Sequence, residues 1–122
     1  MYEVSIKESS KELTAKERIA LKDTSDAVKL DEALTDGELT FKPAGYAILN
    51  VVNDKADDKE YSQYVVFADD GTKYVTGSES FWNSFINIFE EMKDESEEWA
   101  IKVYKLDSKN YKGKQFITCS II

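Results

Sequence analysis

Apolar residues in the middle of the chain occur in patterns that predict β-strands. Residues 41–53 (FKPAGYAILNVVN) contain an almost continuous apolar run, and Pro43 and Gly45 predict a bend in this long strand. Proline donates no ladder hydrogen bond, and glycine tolerates unusual dihedral angles. Residues 61–68 (YSQYVVFA) predict a second strand. The Asp-Gly pair at 70–71 then predicts a hairpin turn into a third strand (TKYVTG), antiparallel to the second.

The clearest helical pattern follows the third strand. Thr76 and Glu79 fit a capping box, in which the Thr76 hydroxyl accepts a hydrogen bond from a free amide at the start of the helix. We expect the helix to pack on a sheet, with Trp82 and Trp99 in the core. Apolar residues recur at steps of three and four and share one broad face of this helix: Phe81, Trp82, Phe85, Ile86, Ile88, Phe89 and Met92.

The end of the chain predicts another hairpin. Residues 97–106 and 114–122 each alternate between apolar and more polar positions, as half-buried strands do. The segment between them (DSKNYKGK) contains an asparagine and a glycine suited to turning. We expect Lys102 and Tyr104 on the wetter face of the first strand, and Cys119 on the apolar row of the second as a small core residue.

Residues 1–36 allow two interpretations. Thr14 and Glu17 fit a capping box for a short helix that ends near Leu21, whereas IALKD and DAVKL also alternate like two strands about a turn. The sequence Asp-Gly at 36–37 predicts the turn into the body of the protein. The predicted organisation is an N-terminal extension, residues 1–36, that packs on a core domain of residues 37–122.

The order of the predicted elements from residue 41 onward indicates a mainly β fold. That order is long bent strand, strand, strand, helix, strand, strand. It fits the OB-fold, a five-stranded Greek-key barrel, here with one helix between the third and fourth strands. A helix packed on one face of an α+β sandwich would show the same apolar faces, so both architectures stay open at this point.

The composition excludes several kinds of catalysis. The 122 residues include no histidine and one cysteine, which excludes Ser-His-Asp and Cys-His catalysis, imidazole metal ligands and a disulfide framework. No carboxylate pair has a spacing typical of hydrolysis or metal binding, so we expect neither an enzyme nor a metal or other cofactor. The apolar stretches are too short to cross a bilayer and the N-terminus lacks the apolar region of a secretory signal, which favours a soluble cytoplasmic protein without a membrane partner.

The formal net charge of −8 is distributed unevenly. Residues 23–100 hold six bases and nineteen acids, whereas residues 101–122 hold five lysines and a single acid, Asp107. The overall charge argues against a polyanionic partner, because nucleic acids are usually bound by positively charged proteins. The C-terminal hairpin is the exception, since its own charge is strongly positive.

Three segments of the chain resemble the small single-stranded DNA-binding proteins carried by bacteriophages and mobile elements of Gram-positive bacteria. They are TAKERIALKDTSDAVKLDEA at 14–33, KYVTGSESFWNSFINIFEEM at 73–92 and EWAIKVYKLDSKNYKGKQFITCSII at 98–122. The resemblance implies an OB-fold that binds single-stranded DNA without strong sequence preference. It also implies a role in replication or recombination, alongside replication or recombination proteins.

Binding of this kind needs a basic groove for the DNA backbone and aromatic rings on which bases stack. Both ingredients occur between residues 102 and 114, and the loop between the fourth and fifth strands of an OB-fold borders its ligand cleft. Two tyrosines on the second and third strands are further candidates, although alternate aromatic residues of such strands also lie in the core. The candidate nucleic-acid-binding residues are Tyr64, Tyr74, Lys102, Tyr104, Lys105, Lys109, Tyr111, Lys112 and Lys114.

A second hypothesis takes the acidic middle of the chain as the functional surface. The excess of thirteen negative charges over residues 23–100 would suit an acidic protein-binding adaptor, or a DNA mimic that occupies another protein's DNA site. Exposed sheet edges are in either case compatible with a homodimer.

Overall fold

The computed structural model describes residues 2–23, 25–35, 37–53, 60–107 and 113–122, without the side chains of Tyr2 and Asn53. The chain is mainly β, which confirms the predicted fold class at that level. The elements, in chain order, are β1 (Tyr2–Ser9), α1 (Ala15–Lys22), β2 (Val28–Lys29), α2 (Leu30–Ala33), β3 (Leu39–Phe41), β4 (Pro43–Asn53), β5 (Glu60–Ala68), β6 (Lys73–Thr76), α3 (Glu79–Met92), β7 (Ile101–Asp107) and β8 (Gln115–Ile121).

The chain forms two compact units, each built from two separate segments. The first unit comprises Met1–Lys29 and Ala44–Gly77, and the second comprises Leu30–Pro43 and Ser78–Ile122. This division differs from the predicted one between residues 36 and 37. The physical reason is strand pairing, since β1 runs antiparallel to β4 along most of its length and therefore belongs with the strands of the first unit.

The first unit contains a five-stranded sheet with the strand order β1-β4-β5-β6-β2. β5 and β6 are antiparallel, with Val65 opposite Val75, and Gly71 between them has a φ of 92°. The predicted hairpin is therefore confirmed, because only glycine adopts this dihedral without steric cost. β2 pairs with β6 in the parallel direction. The buried residues between this sheet and α1 form one cluster: Leu21, Ala47, Leu49, Val65 and Val75.

α1 settles the choice between a helix and two strands for residues 15–22. Both halves of the capping box are present: the Glu17 amide donates to the Thr14 hydroxyl at 3.2 Å, and the Thr14 amide donates to the Glu17 carboxylate at 3.1 Å. At the other end, the Lys73 ammonium donates to the carbonyl oxygens of Ala20 at 3.0 Å and Asp23 at 2.8 Å. A cation at this end also suits the helix dipole.

The predicted long strand is interrupted at Lys42. β3 ends at Phe41 and β4 begins at Pro43, so the predicted single strand is divided into two, next to the proline. β3 pairs with β7, whereas β4 pairs with β1 and β5. A proline at the first position of a strand is tolerated because its missing N–H need not join the ladder.

The second unit contains a three-stranded antiparallel sheet with the order β3-β7-β8. β7 and β8 confirm the strands of the predicted C-terminal hairpin. α3 packs against β8 through hydroxyl groups: Ser80 donates to the carbonyl of Ile117 at 2.8 Å, and Ser84 lies 2.9 Å from the hydroxyl of Thr118. A helix in this position covers an edge strand that would otherwise expose unpaired backbone groups.

The predicted cap of α3 is wrong by two residues. The helix begins at Glu79, and the hydroxyl of Ser78 accepts the hydrogen bond from the amide of Phe81 at 3.2 Å. Thr76 is instead the last residue of β6, where it lies buried opposite Tyr64. Its backbone is committed to the strand ladder, so it cannot also turn into the helix.

The aromatic face of α3 is buried, as predicted. Phe81 and Phe85 stack at 5.7 Å between ring centroids, and Phe85 and Phe89 stack at 5.6 Å. Trp82 is also in the core, which confirms that prediction. Trp99 is half-buried, with its ring 6.1 Å from that of Phe89.

The strands of the described residues form two sheets and no closed barrel, so the predicted five-stranded Greek-key barrel is not confirmed. The helix predicted between the third and fourth strands is α3, and α1 and α2 precede it in the chain. The two additional helices fall within residues 1–36, for which the sequence left helix and strand undecided. None of the helices in the described residues is long and apolar enough to cross a membrane.

Candidate nucleic-acid interface

Tyr104 lies at the centre of the candidate site, on β7. The antiparallel register places it opposite Thr118 of β8, and its hydroxyl lies 2.7 Å from that of Ser120, the next residue of β8 on the same face. This hydrogen bond links the phenol ring diagonally across the strand pair. The half-buried ring of Tyr104 is therefore held in a fixed position on the surface of the sheet.

Lys102 lies two residues before Tyr104 on the same face of β7. Its ammonium nitrogen is 5.5 Å from the centroid of the Tyr104 ring, within the range of a cation–π contact. Both side chains are half-buried, whereas Ile101 and Val103, which alternate with them along the strand, are fully buried. The predicted wetter face of this strand, with Lys102 and Tyr104 on it, is thus confirmed.

An exposed apolar pair continues this face toward the end of the hairpin. Leu106 lies directly opposite Phe116, and 45% and 37% of their respective surfaces are exposed. Sequence reasoning did not select either residue for the site. The alternation of this strand could have identified Phe116, because it places Phe116 on the same row as Thr118. An aromatic residue on the wetter row of a strand is not needed in the core.

A groove of about 420 Å³ lies beside Tyr104 and Leu106. Besides β7 and β8, it is lined by the segment that follows α2. Its polar groups include the amide of Gln115, whose nitrogen donates to the carboxylate of Asp107 at 3.2 Å. The lining residues are Leu34, Thr35, Gly37, Glu38, Tyr104, Lys105, Leu106 and Gln115.

The basic residues of the hairpin are described in part. Lys105 and Lys114 are exposed, and Lys105 lines the groove. Lys109, Tyr111 and Lys112 lie outside the described residues. Of the described lysines of the hairpin, Lys102 lies over the ring of Tyr104, whereas Lys105 lies opposite Ile117 and so projects from the other face of β7.

The other two predicted aromatic residues belong to the first unit. Tyr64, on β5, is 9% exposed and so presents little of its ring to a base. Tyr74, on β6, is half-buried. Burial, and to a smaller extent the nearby negative charge of Asp70, raises the pKa of its hydroxyl. Tyr61 on β5 is more accessible, with 41% of its surface exposed.

The cysteine of this chain is a structural residue of the core. Cys119 is buried on the apolar row of β8, as predicted, and burial raises the pKa of its thiol to about 12. A thiol with this pKa is protonated at neutral pH and is a poor nucleophile. In the ranges that the structure describes, no cluster of three or more cysteine, aspartate or glutamate side chains could hold a metal ion.

Comparison of the chain with protein-family models, curated proteins and solved structures found no match.

Proposed function

We propose that this protein is an OB-fold protein that binds single-stranded DNA with little sequence preference through the face of β7 and β8. The proposal includes a cytoplasmic role in the replication or recombination of a phage or mobile element, which the sequence resemblance implies. The observation that carries it is the position of Tyr104, with Lys102 near its ring and the exposed Leu106–Phe116 pair beside it.

The pairing of the strands supports the OB-fold part of the proposal. A Greek key has four strands in the spatial order 4-1-2-3, with the fourth returning to lie beside the first. If β3 and β4 are taken as the two halves of one bent first strand, β7 pairs with that strand, which also pairs with β5, and β5 pairs with β6. α3 then follows the third strand and precedes the fourth, as in the expected order of elements.

The chemistry of the face suits a single strand. The charge of Lys102 on this face, with those of the exposed Lys105 and Lys114 near the end of the hairpin, attracts phosphates, while the rings of Tyr104 and Phe116 offer surfaces for bases. Stacking on an aromatic residue contributes about 1–3 kcal/mol per base and tolerates every base, because each has a flat π-face. Duplex DNA keeps its bases stacked inside the helix, so this face should discriminate against it.

The net charge of −8 is compatible with such binding. Screening in physiological salt limits the reach of exposed charges to about 8 Å, so nearby lysines act on a bound strand more strongly than distant acids do. Among the described residues of the hairpin, the one acid is Asp107, which already accepts a hydrogen bond from Gln115. We expect slow long-range association and an affinity that falls steeply with salt.

A fluorescence titration with oligo(dT) tests the proposal. Binding should quench the intrinsic tyrosine and tryptophan emission, and a single-stranded competitor should reverse the quenching whereas a duplex of the same length should not. Raising the salt concentration from about 50 to 200 mM should weaken binding strongly. Absence of binding at the lower salt concentration would rule the function out.

A second candidate function, binding of a basic protein partner, is favoured by the end of α3. A cleft of about 250 Å³ is lined there by Ile88, Met92, Ile121 and two polar residues, Asn87 and Glu91. Exposed carboxylates border this end of the helix and the segment after it: Glu90, Glu91, Asp94 and Glu95. An apolar cleft next to acidic groups suits a basic amphipathic segment.

The two functions predict opposite effects of charge changes. The double variant Lys105→Glu with Lys114→Glu should abolish binding of oligo(dT) and leave binding of a synthetic leucine-lysine amphipathic peptide intact. The double variant Glu91→Gln with Glu95→Gln should weaken binding of the peptide and leave binding of oligo(dT) unchanged. If the peptide binds the second variant as well as it binds the wild type, protein docking at α3 is excluded.

A further inference from the structure

We propose that β1 forms the interface of a homodimer by pairing antiparallel with β1 of a second copy of this chain. The two strands pair about Ser5, with Glu3 of each copy opposite Lys7 of the other. This inference goes beyond the proposed binding of DNA and does not depend on it. It follows from the place of β1 in its sheet and from the order of side chains along the strand.

β1 is a long edge strand. It ends the five-stranded sheet, where β4 pairs with one side of it and no described strand pairs with the other. The other edge strands are shorter or covered, since β2 and β3 have two and three residues and α3 packs against β8. An edge strand presents a row of N–H and C=O groups with which another strand can pair. The eight residues of β1 offer such a row.

The side chains at the start of β1 form two rows. The exposed row is Glu3, Ser5 and Lys7. Val4 and Ile6 form the other row and are half-buried against the core cluster of the first unit. Residues directly opposite each other in an antiparallel pair have their side chains on the same face. A pairing centred on Ser5 therefore places Val4 opposite Ile6 of the second copy and extends the apolar layer across the dimer.

Glu3 and Lys7 supply the charge complementarity of this register. Neither forms an ion pair with any residue that the structure describes. Because they lie two residues to either side of Ser5, a two-fold axis places each carboxylate opposite the ammonium of the other copy. Opposite charges in such cross-strand positions attract each other. This order of charges is self-complementary, which an interface between identical strands requires and pairing with an unrelated strand does not.

A β-bulge limits the length of the pairing. The register with β4 shifts between Ile6 and Glu8, so Lys7 is an additional residue of β1. The alternation ends at the same point, because Lys7 and Glu8 are both exposed. Bulges increase the twist of an edge strand and so hinder pairing beyond them. The paired segment is therefore residues 3–7, and its two-fold symmetry closes the edge in a dimer rather than a fibre.

Sedimentation velocity of the full chain without DNA tests the dimer. An interface of one strand pair is small, so we expect a weak dimer with a dissociation constant on the order of 10–100 μM. Amide hydrogen exchange in β1 should slow as the protein concentration rises, because the N–H groups of the edge become hydrogen-bonded. A chain that stays monomeric at roughly 1 mM would overturn the inference and leave the edge for a strand of another protein. A dimer with unchanged exchange in β1 would overturn it too.

Charge reversals on β1 test the register. Glu3→Lys places two lysines opposite each other at both ends of the pairing, and Lys7→Glu places two glutamates there. Each variant should raise the dissociation constant about tenfold. The double variant Glu3→Lys with Lys7→Glu restores opposite charges and should restore the wild-type value. An equimolar mixture of the two single variants should form a heterodimer more tightly than either variant dimerises alone, because every charge pair across it is attractive.

Glu12→Lys and Lys16→Glu are the matched controls, since both residues are exposed and lie outside β1. They change the net charge as the β1 variants do, and the dissociation constant should stay within about twofold of the wild-type value. Equal weakening in the controls, or a mixture of the β1 variants no tighter than either alone, would contradict the pairing. Either result leaves the proposed function in place, because DNA binding is measured separately by fluorescence titration.

Discussion

The hydroxyl of Tyr104 lies 2.7 Å from the hydroxyl of Ser120, which joins the aromatic ring on β7 to the neighbouring strand β8. Because both strands belong to the same antiparallel ladder, this bond fixes the ring relative to the backbone of the sheet. A ring that is already fixed loses little conformational entropy when a base stacks on it. The Tyr104–Ser120 bond is therefore a means of preorganising the proposed stacking site.

Replacing Tyr104 should weaken DNA binding through loss of the ring. Tyr104→Ala should lower the affinity for oligo(dT) by about 1–3 kcal/mol, which is the usual contribution of one stacked base. Tyr104→Phe keeps the ring but loses the bond to Ser120, so it should have a smaller effect. Fluorescence titration measures both. The control is Tyr61→Ala, an exposed tyrosine of the first unit, and equal losses in Tyr61→Ala and Tyr104→Ala would contradict the assignment.

Replacing Phe116 should separate binding from stability. Because 37% of this residue is exposed, Phe116→Ala should lower the free energy of unfolding by no more than about 1 kcal/mol, yet weaken oligo(dT) binding by about 1–2 kcal/mol. The neighbouring Ile117 is buried, so Ile117→Ala should cost about 2–5 kcal/mol of stability. Urea denaturation and fluorescence titration on the same samples give the two values. If Phe116→Ala proved as destabilising as Ile117→Ala, its ring would be a core element rather than a stacking surface.

Lys73 should be important for the local stability of α1. Its side chain is 12% exposed and donates to the carbonyl oxygens of Ala20 and Asp23, with an ion pair to Asp26 at 3.1 Å. Lys73→Met keeps most of the aliphatic stem but leaves these oxygens without their donor. The free energy of unfolding should fall by about 1–3 kcal/mol, and amide hydrogen exchange in α1 should accelerate.

The control for Lys73 is Lys93→Met at the exposed end of α3. Lys93 is solvent-accessible and forms an ion pair with Glu90 at 2.9 Å, and such surface pairs contribute little to stability. Unchanged exchange rates in α1 of Lys73→Met would show that the lysine does not stabilise the end of this helix.

The buried thiol of Cys119 should make stability fall at alkaline pH. Burial raises the pKa of this thiol from the ordinary 9.0 to about 12, so the folded protein keeps the proton that the unfolded chain releases. Its contribution is fully present below pH 9 and is lost as the pH rises from 9 toward 12. The slope is at most about 1.4 kcal/mol per pH unit.

The variant Cys119→Ala isolates this effect from other alkaline titrations. The difference in the free energy of unfolding between wild type and variant should be constant below pH 9 and shift in favour of the variant above it. Urea denaturation across this range measures the difference. A constant difference up to pH 12 would mean that the thiol has the same pKa in the folded and unfolded states.

Several local features could be predicted because neighbouring residues determine them. Gly71 confers the positive φ of the β5–β6 turn, and the three- and four-residue spacing of aromatic residues gives α3 its buried face. The alternation around Tyr104 correctly assigned the two faces of β7. In each case the deciding interaction spans only a few residues of sequence.

The location of helix starts was less certain from the sequence. Thr14 and Thr76 both precede a suitable glutamate by three residues, yet only Thr14 caps a helix. Thr76 is held in β6 by its ladder partner Tyr64, and Ser78 becomes the cap instead. The sequence could not decide this, because the competing interaction comes from a distant strand.

Interactions between distant segments also determine much of the candidate site. The lysines and tyrosines of the hairpin, and the strand face that carries Lys102 and Tyr104, could be predicted from neighbouring residues. That Tyr64 is buried, that Leu106 and Phe116 are exposed opposite each other, and that Glu38 shares a groove with Tyr104 became visible in the folded chain alone. The periodicity of a strand specifies two faces, but which of them is covered depends on segments far apart in the chain that pack together only on folding.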